Sequence, residues 1–447
     1  MEKREGFKSN FGLFAAAVGS AVGLGNIWRF PYIAGENGGA AFILVYLLSV
    51  AIIGLPVLLS ELTIGRSGRS NPIDSFKKLA PDSPWYFSGI LGVMAAFLIL
   101  AFYSAIAGWT LEYLLKAILN QFAGKDVGEI ADMFGSFVSN PVRSIFWQFI
   151  VLAITYYIVA NGVEEGIEKY SLLLVPALVI IIIILDIRAI TLPGASEGIK
   201  FLFKPDFSKL NGKVVLDALG HSFFSLSVGA GTMIAYGSYM KEDENLGRSA
   251  LNIALADTLI AILAGLAIFP VVFAFGIEPG SGPGLVFITL PNVFQKIPGG
   301  YIFQLLFFLL LALAAITSTI SMLESVSSFV MDKFKIERKK AALYSTLAIF
   351  VVGVFASLSN GPLDRKFLFG DNFLDFLDKL TANYFMTIGA LITILFMAWK
   401  LDKKTVEDQL TNKGIIDANY MGTYYFILKF ISPIAIILVF LASIGKI

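Results

Sequence analysis

GSAVGLGNIWRFP, residues Gly19–Pro31, is the stretch that decides how the rest of the chain is read. It lies inside the first long apolar segment, yet Gly19, Gly23 and Gly25 fall within seven residues, followed by Asn26, Arg29 and Pro31. A glycine costs roughly 1 kcal/mol per helical position relative to alanine. A charged side chain at bilayer depth costs roughly 2.5–3.5 kcal/mol on insertion scales. A segment with both burdens reads as a helix interrupted at a site rather than a lipid-facing rod, and the interruption exposes backbone groups to a solute.

The composition around it is that of an all-α polytopic membrane protein. The chain has 447 residues, 57% of them hydrophobic and 15% charged. Soluble domains run near 45–50% apolar and about 25% charged, and apolar runs long enough to cross a bilayer recur throughout. With a net charge of +1 there is no sign of a nucleic-acid partner or a polybasic surface patch. The absence of cysteine excludes disulfides, thiolate chemistry and cysteine metal sites. One histidine, His221, and no Gly-Lys-Ser/Thr phosphate loop leave little for a membrane enzyme to work with. A channel would show a filter repeat that forms a ring across subunits, which is not seen. Lys3, Arg4 and Lys8 precede a long interrupted segment without a small-residue cleavage pattern, so it reads as the first spanning helix, not a signal peptide.

Periodicity and breakers predict eleven helices, at 11–36, 40–66, 87–116, 143–160, 167–187, 213–239, 246–275, 301–331, 341–358, 368–399 and 420–444. With the N-terminus cytoplasmic, the loops on that side carry Arg66, Arg69, Lys77, Lys78, Lys241, Lys333, Lys335 and Arg338 to Lys340. The excess of Lys and Arg supports that orientation and puts the C-terminus outside. The stretch 276–300, rich in Pro and Gly, is expected to be an external loop with short helices over a vestibule.

A second break lies in the sixth helix, Phe223-Phe224-Ser225-Leu226-Ser227-Val228-Gly229-Ala230-Gly231. Glycines in membrane helices also serve close packing. Two Gly-interrupted segments five helices apart point instead to a transporter site between inverted repeats. The repeats would be 11–187 and 213–399, followed by an eleventh helix at 420–444, all within one transporter domain.

Gly19 to Pro31, with Glu36-Asn37-Gly38-Gly39 after it, resembles the first helix of the neurotransmitter:sodium symporters, of the leucine-transporter-like bacterial kind. The resemblance continues through Pro56, Glu61 and Gly65-Arg66, Tyr103 and Trp109-Thr110, the second break, Phe287-Ile288-Thr289-Leu290-Pro291, and Thr317-Ser318-Thr319. It covers essentially the whole chain. The eleven-helix length is similar to bacterial members that handle tyrosine or other hydrophobic amino acids.

The resemblance implies a sodium-coupled importer of an amino acid working by alternating access, with two sodium sites. Sodium is a hard cation and takes oxygen ligands, which unwound backbone supplies. One implied site uses the carbonyls of Ala21 and Ser225, the Asn26 side chain, the Ser225 hydroxyl and the substrate carboxylate, with a further ligand from the seventh helix. The other uses carbonyls of Gly19, Val22 and Ala314 with hydroxyls of Thr317 and Ser318. On the residues alone, the hydroxyls of Thr317 and Ser318 are more readily read as bonded to the preceding turn. Anchored on Gly265, the family's asparagine ligand falls at Asp257, while Ala261 stands where relatives carry glutamate or a chloride-binding serine. A buried carboxylate there replaces the chloride charge, so no chloride requirement is expected.

By the same resemblance, amide groups near Ala21 and Gly25 and the Tyr103 hydroxyl hold the substrate carboxylate, and the carbonyls of Phe224 and Ser225 receive the amine. Gly23 stands where monoamine-transporting relatives place aspartate, which favours an amino acid. Ser20, Ile99, Phe224, Ser227, Ala230, Ser318 and Met322 would line the side-chain pocket. Ala230, in place of a phenylalanine, leaves room for a large hydrophobic or aromatic side chain. Arg29 with Asp378 is expected to close the outside, above a lid of Phe224 and Tyr103. Arg4 with Asp332 closes the inside near Tyr239, with Phe7 in place of the family's tryptophan. Gly166 and Pro176 match a spacing at which the fifth helix unwinds in some relatives. Glu61 is expected to bond free backbone near Gly25, and His221 to be a satisfied polar residue. An amino-acid sensor on the same fold would bind without transporting. A monomer or weak homodimer in a bacterial cell membrane is expected.

Overall fold

The computed structural model describes residues 5–276, 284–367 and 370–446, and among these the regular structure is helical throughout. Helix 1 is Asn10–Ala21 followed by Gly25–Glu36, bent by 49° at the break. Helices 2 to 5 are Ala40–Gly68, Tyr86–Ile118, Pro141–Ala160 and Val163–Ile190. Helix 6 is again two pieces, Gly212–Ser225 and Thr232–Gly237. Helices 7 to 11 are Leu246–Ala274, Gly300–Phe334, Arg338–Ser357, Phe373–Lys400 and Met421–Ser443. Shorter helices connect them at Pro72–Leu79, Val127–Val138, Ala195–Phe203, Leu285–Gln295 and Lys403–Leu410.

Several span starts follow from a single residue type. Asn140, Asn211, Asn245 and Asn372 each precede a helix and accept the backbone N–H three residues on, at 2.9–3.1 Å. Each thereby satisfies one of the four N–H groups a helix start leaves unpaired.

Burial then sorts the spans. Helices 8 and 3 are 78% and 72% buried in their most apolar windows, against 22% for helix 11. An apolar helix that is buried all round is a core element. Helices 3 and 8 are therefore the central pair against which the two broken helices lie, and helix 11 is peripheral and largely lipid-facing.

The break expected within 213–239 is present, with residues 226–231 outside the helix. Other expectations need correction. The connection at 188–212 is not open loop: Ala195–Phe203 packs Ala195, Gly198 and Leu202 inward, and Gly198 lies against the Phe269 backbone. In helix 5 a wide turn spans Val163–Glu168 and holds Gly166, and regular helix continues through Pro176. Part of the 276–300 stretch, residues 277–283, lies outside the described residues, as does Arg4.

Candidate functional site

At the helix-1 break Val22 has ψ of 99°, an extended value, so the amides that follow cannot reach back up the helix. The Gly23 N–H donates to Asn26 Oδ1 at 3.3 Å and the Leu24 N–H to the Tyr103 hydroxyl at 3.1 Å. The carbonyls they would have met are left to other elements. Ser20 C=O accepts from Ser227 Oγ at 2.9 Å and from Ser318 Oγ at 3.4 Å, and Gly19 C=O from Ser318 Oγ at 3.5 Å. A non-glycine residue at Gly23 would place its Cβ 2.5 Å from Ser318 Oγ, so helices 1 and 8 meet here only because the side chain is missing.

The helix-6 break is built from left-handed residues. Ser227 has φ of 53°, Gly229 83° and Gly231 69°. For a residue with a Cβ this region costs about 1–2 kcal/mol, which Ser227 sustains through its bond to Ser20 and by accepting from Thr232 Oγ1 at its own carbonyl, 3.0 Å away. The Gly229 N–H donates to Glu61 Oε1 of helix 2 at 2.6 Å. Glu61 was expected near Gly25; it serves the other break, because helix 2 packs directly on the second half of helix 6. Glu61→Ala leaves a buried amide unpaired, which costs about 1–3 kcal/mol. Glu61→Gln keeps an acceptor. Thermal denaturation is expected to rank wild type and Glu61→Gln together and Glu61→Ala well below. Equal loss in both variants would contradict the backbone role.

Asn26, Tyr46, Ser225 and Asp257 come together from helices 1, 2, 6 and 7. Asn26 Nδ2 donates to Asp257 Oδ1 at 2.7 Å, to the Asp257 carbonyl at 3.1 Å and to Ser225 Oγ at 3.2 Å. Ser225 Oγ donates to Asp257 Oδ2 at 2.7 Å, and Tyr46 OH is 3.1 Å from Ser225 Oγ and 3.4 Å from Asp257 Oδ2. Asp257 is fully buried, and no Lys or Arg pairs with it among the described residues. A buried carboxylate with neutral donors only is incompletely compensated, and the donor set around it is oxygen-rich. Tyr46 was not anticipated; its contact with Ser225 and Asp257 depends on how helix 2 packs on helices 6 and 7.

The second expected group is also gathered. Gly19 of helix 1 lies against Thr317 of helix 8 and Val175 of helix 5, and Ser318 Oγ reaches both helix 1 and the Ala314 carbonyl, 3.3 Å away. Thr317 Oγ1 donates to Leu313 and Ala314 carbonyls at 3.1 and 3.0 Å, the back-bonded arrangement. Val22 and Ala314 are buried beside them.

One cavity lies between the breaks. Ser20, Ala21, Gly23 and Gly25 border it from helix 1, and Ile99 and Tyr103 from helix 3. Phe224, Ser227 and Ala230 come from helix 6, and Ser318 and Met322 from helix 8. Thr232 and Met386, both missed in the sequence, complete it.

Above it a vestibule of about 820 Å³ is lined by Arg29, Glu36, Asp217 and parts of helices 10 and 11. Arg29 Nη1 is 3.8 Å from Asp378 Oδ1, with its guanidinium 4.7 Å over the Phe224 ring. Both side chains are about one-third exposed, so the pair contributes under about 1 kcal/mol, which suits a latch that opens. His221 was expected to be a satisfied polar residue. Neither ring nitrogen finds a partner among the described residues, because the imidazole is wedged between the rings of Phe30 and Tyr46 at 5.6 and 5.5 Å.

The opposite end is tied more firmly. Tyr239 OH donates to Glu324, whose other oxygen accepts from Arg338 Nη1 at 2.5 Å. Arg338 also reaches Glu5 at 3.0 Å. Glu5 accepts the Val163 N–H at the start of helix 5, while Glu168 accepts the Lys8 and Ser9 N–H groups ahead of helix 1. Phe7 is buried edge-on against Tyr236 and Tyr239. Asp332 accepts from the Asn71 N–H and Nδ2 at 3.2 and 2.9 Å. Glu5, Glu168, Glu324 and Arg338 carry no local motif and were not anticipated.

Comparison with known proteins points to one family. A model of the "Sodium:neurotransmitter symporter family" matches residues 4–133 and 136–447. The chain is 41% identical to the uncharacterized sodium-dependent transporter YhdH of Bacillus subtilis, across 98% of this chain and 97% of that protein. It is 29% identical to a sodium-dependent serotonin transporter of Drosophila melanogaster, across 75% of this chain and 61% of that one. The crystal structure of MhsT in complex with L-phenylalanine superposes with a TM-score of 0.91 at 44% identity, across 99% of this chain and 100% of that one. With two broken helices, a cavity between them and a family match along nearly its whole length, the chain belongs to the sodium:neurotransmitter symporter family and is a sodium-dependent membrane transporter, not an enzyme.

Proposed function

We propose that the chain uses the sodium gradient to import a large hydrophobic or aromatic amino acid by alternating access. The observation that carries this reading is the buried Asp257 carboxylate beside the cavity, hydrogen-bonded to Asn26 and Ser225 and, among the described residues, paired with no Lys or Arg. One sodium would be held there by Asn26, Ser225, Asp257, the Ala21 carbonyl and the substrate carboxylate. A second would be held by carbonyls of Gly19, Val22 and Ala314 with Thr317 and Ser318. Two charges moving through 100 mV supply about 4.6 kcal/mol, roughly three decades of accumulation.

The substrate class is supported by chemistry on three sides. No acid stands at Gly23 to pair with a bare amine, so a carboxylate-bearing substrate is favoured. Ala230 leaves the side-chain end apolar and short. The similar MhsT was crystallised with L-phenylalanine. In this reading helices 1–5 and 6–10 form inverted repeats, the N-terminus is cytoplasmic in a bacterial cell membrane, and the protein works as a monomer or weak homodimer.

Uptake of labelled amino acids into proteoliposomes tests the class. Phenylalanine, tyrosine, tryptophan and leucine are expected to compete strongly and glycine and glutamate weakly. Replacing external chloride with gluconate is expected to leave uptake unchanged. Abolition by gluconate would remove the role given to Asp257, and binding without uptake would mark a sensor.

A further inference from the structure

Among the described residues, two border both the outer vestibule and the inner cavity: Phe224 of helix 6 and Met386 of helix 10. Tyr103, expected as half of the lid, borders only the inner cavity, where its hydroxyl accepts the Leu24 N–H. We propose that Met386 is the second leaf of the outer lid and the residue that sets which side chains the cavity accepts. This rests on the amino-acid reading given above.

Met386 is seated to couple closure to cavity shape. Its carbonyl lies where a Cβ on Gly229 would be 2.3 Å away, so helix 10 presses directly on the helix-6 break. Asp378, the partner of Arg29, lies eight residues earlier on the same helix. The segment between them is a wide turn, Leu380–Met386, that ends on Met386 itself. Any motion that brings Asp378 to Arg29 therefore acts on the element that carries Met386 over the cavity.

The cavity also has little room of its own. About 30 Å³ is free within it, space for one or two waters. A substrate side chain is accommodated by rotation of the walls, and few walls rotate. Glycine and alanine have nothing to turn, Ile99 is β-branched and stiff at χ1, Ser20, Ser227, Thr232, Ser318 and Tyr103 are held by hydrogen bonds, and Phe224 is held under Arg29. Met322 and Met386 are unbranched, with three rotatable bonds each. Of these only Met386 also faces the vestibule, so its rotamer changes pocket size and lid closure together.

The test compares Met386→Ala and Met386→Phe with wild type in proteoliposomes, using leucine and tryptophan in competition under a sodium gradient. Met386→Ala is expected to raise the tryptophan-to-leucine ratio of kcat/KM at least fivefold, mainly through KM, and Met386→Phe to lower it by a similar factor. The sodium concentration for half-maximal uptake is expected to stay within twofold. Either variant that elutes as a single monodisperse species is sufficient; if neither does, the same ratio is read by equilibrium binding for Met386→Leu, where the branched side chain is expected to lower it at least twofold. Equal scaling of both substrates in the folded variants would overturn the proposal while leaving the amino-acid reading intact. Failure of wild type to take up either amino acid would overturn that reading, and the proposal with it.

Discussion

Asp257→Asn is expected to weaken sodium activation of uptake about a hundredfold. The side chain is fully buried and accepts from Asn26, Ser225 and Tyr46, all neutral donors. Removing one member of a buried charge pair typically costs about 3–5 kcal/mol, and the lower end of that range is about two decades in affinity. Asparagine keeps the shape and one acceptor, so the loss falls on the bound cation more than on the fold. Two readings separate these effects. Sodium is expected to raise the melting temperature of wild type, as any ligand of the folded state does, and to do so far less in the variant. External chloride, without effect on wild type, is expected to restore part of the variant's uptake by supplying the missing negative charge. Wild-type sodium activation in Asp257→Asn would contradict the assignment.

Gly229→Ala is expected to destabilise the protein by about 4 kcal/mol, the largest effect of a single methyl in the site. At φ of 83° an alanine carries backbone strain of about 1–2 kcal/mol. Its Cβ would also stand 2.3 Å from the Met386 carbonyl, a backbone atom that no rotamer can move. Overpacking of this kind adds about 1–3 kcal/mol. Shifting helix 10 to relieve the clash would in turn move Asp378 away from Arg29. Thermal denaturation of the purified variant, together with its yield as a monodisperse species, measures the effect. A melting temperature equal to that of wild type would contradict the packing described for the second break.

The breaks were legible in the chain because they violate membrane-helix rules locally: Gly19, Gly23, Gly25 and Asn26 in one segment, Gly229 and Gly231 in the other. Asp257 was legible through the family resemblance, which anchors it on Gly265. What could not be read is what long-range packing decides. Glu61 is visibly unusual in helix 2, but which break it reaches depends on helix 2 lying against Ile234 and Gly237. Tyr46 and Met386 look like any apolar-facing residues of their helices. The inner network of Glu5, Glu168, Glu324 and Arg338 joins the N-terminal segment to helices 5, 8 and 9, each residue ordinary in its own surroundings. Helix boundaries fared well because asparagine caps and Pro or Gly punctuation mark them. The Ala195–Phe203 helix was missed because its nine residues are too short to show a period.

The central claim is that the oxygen-lined breaks couple sodium to an amino acid. Its most direct test is accumulation of labelled L-phenylalanine in proteoliposomes under an inward sodium gradient, against equal sodium on both sides. The account predicts transient accumulation above the external concentration with the gradient, none without it, and far less in Asp257→Asn at the same sodium. Accumulation that is indifferent to the gradient would contradict it.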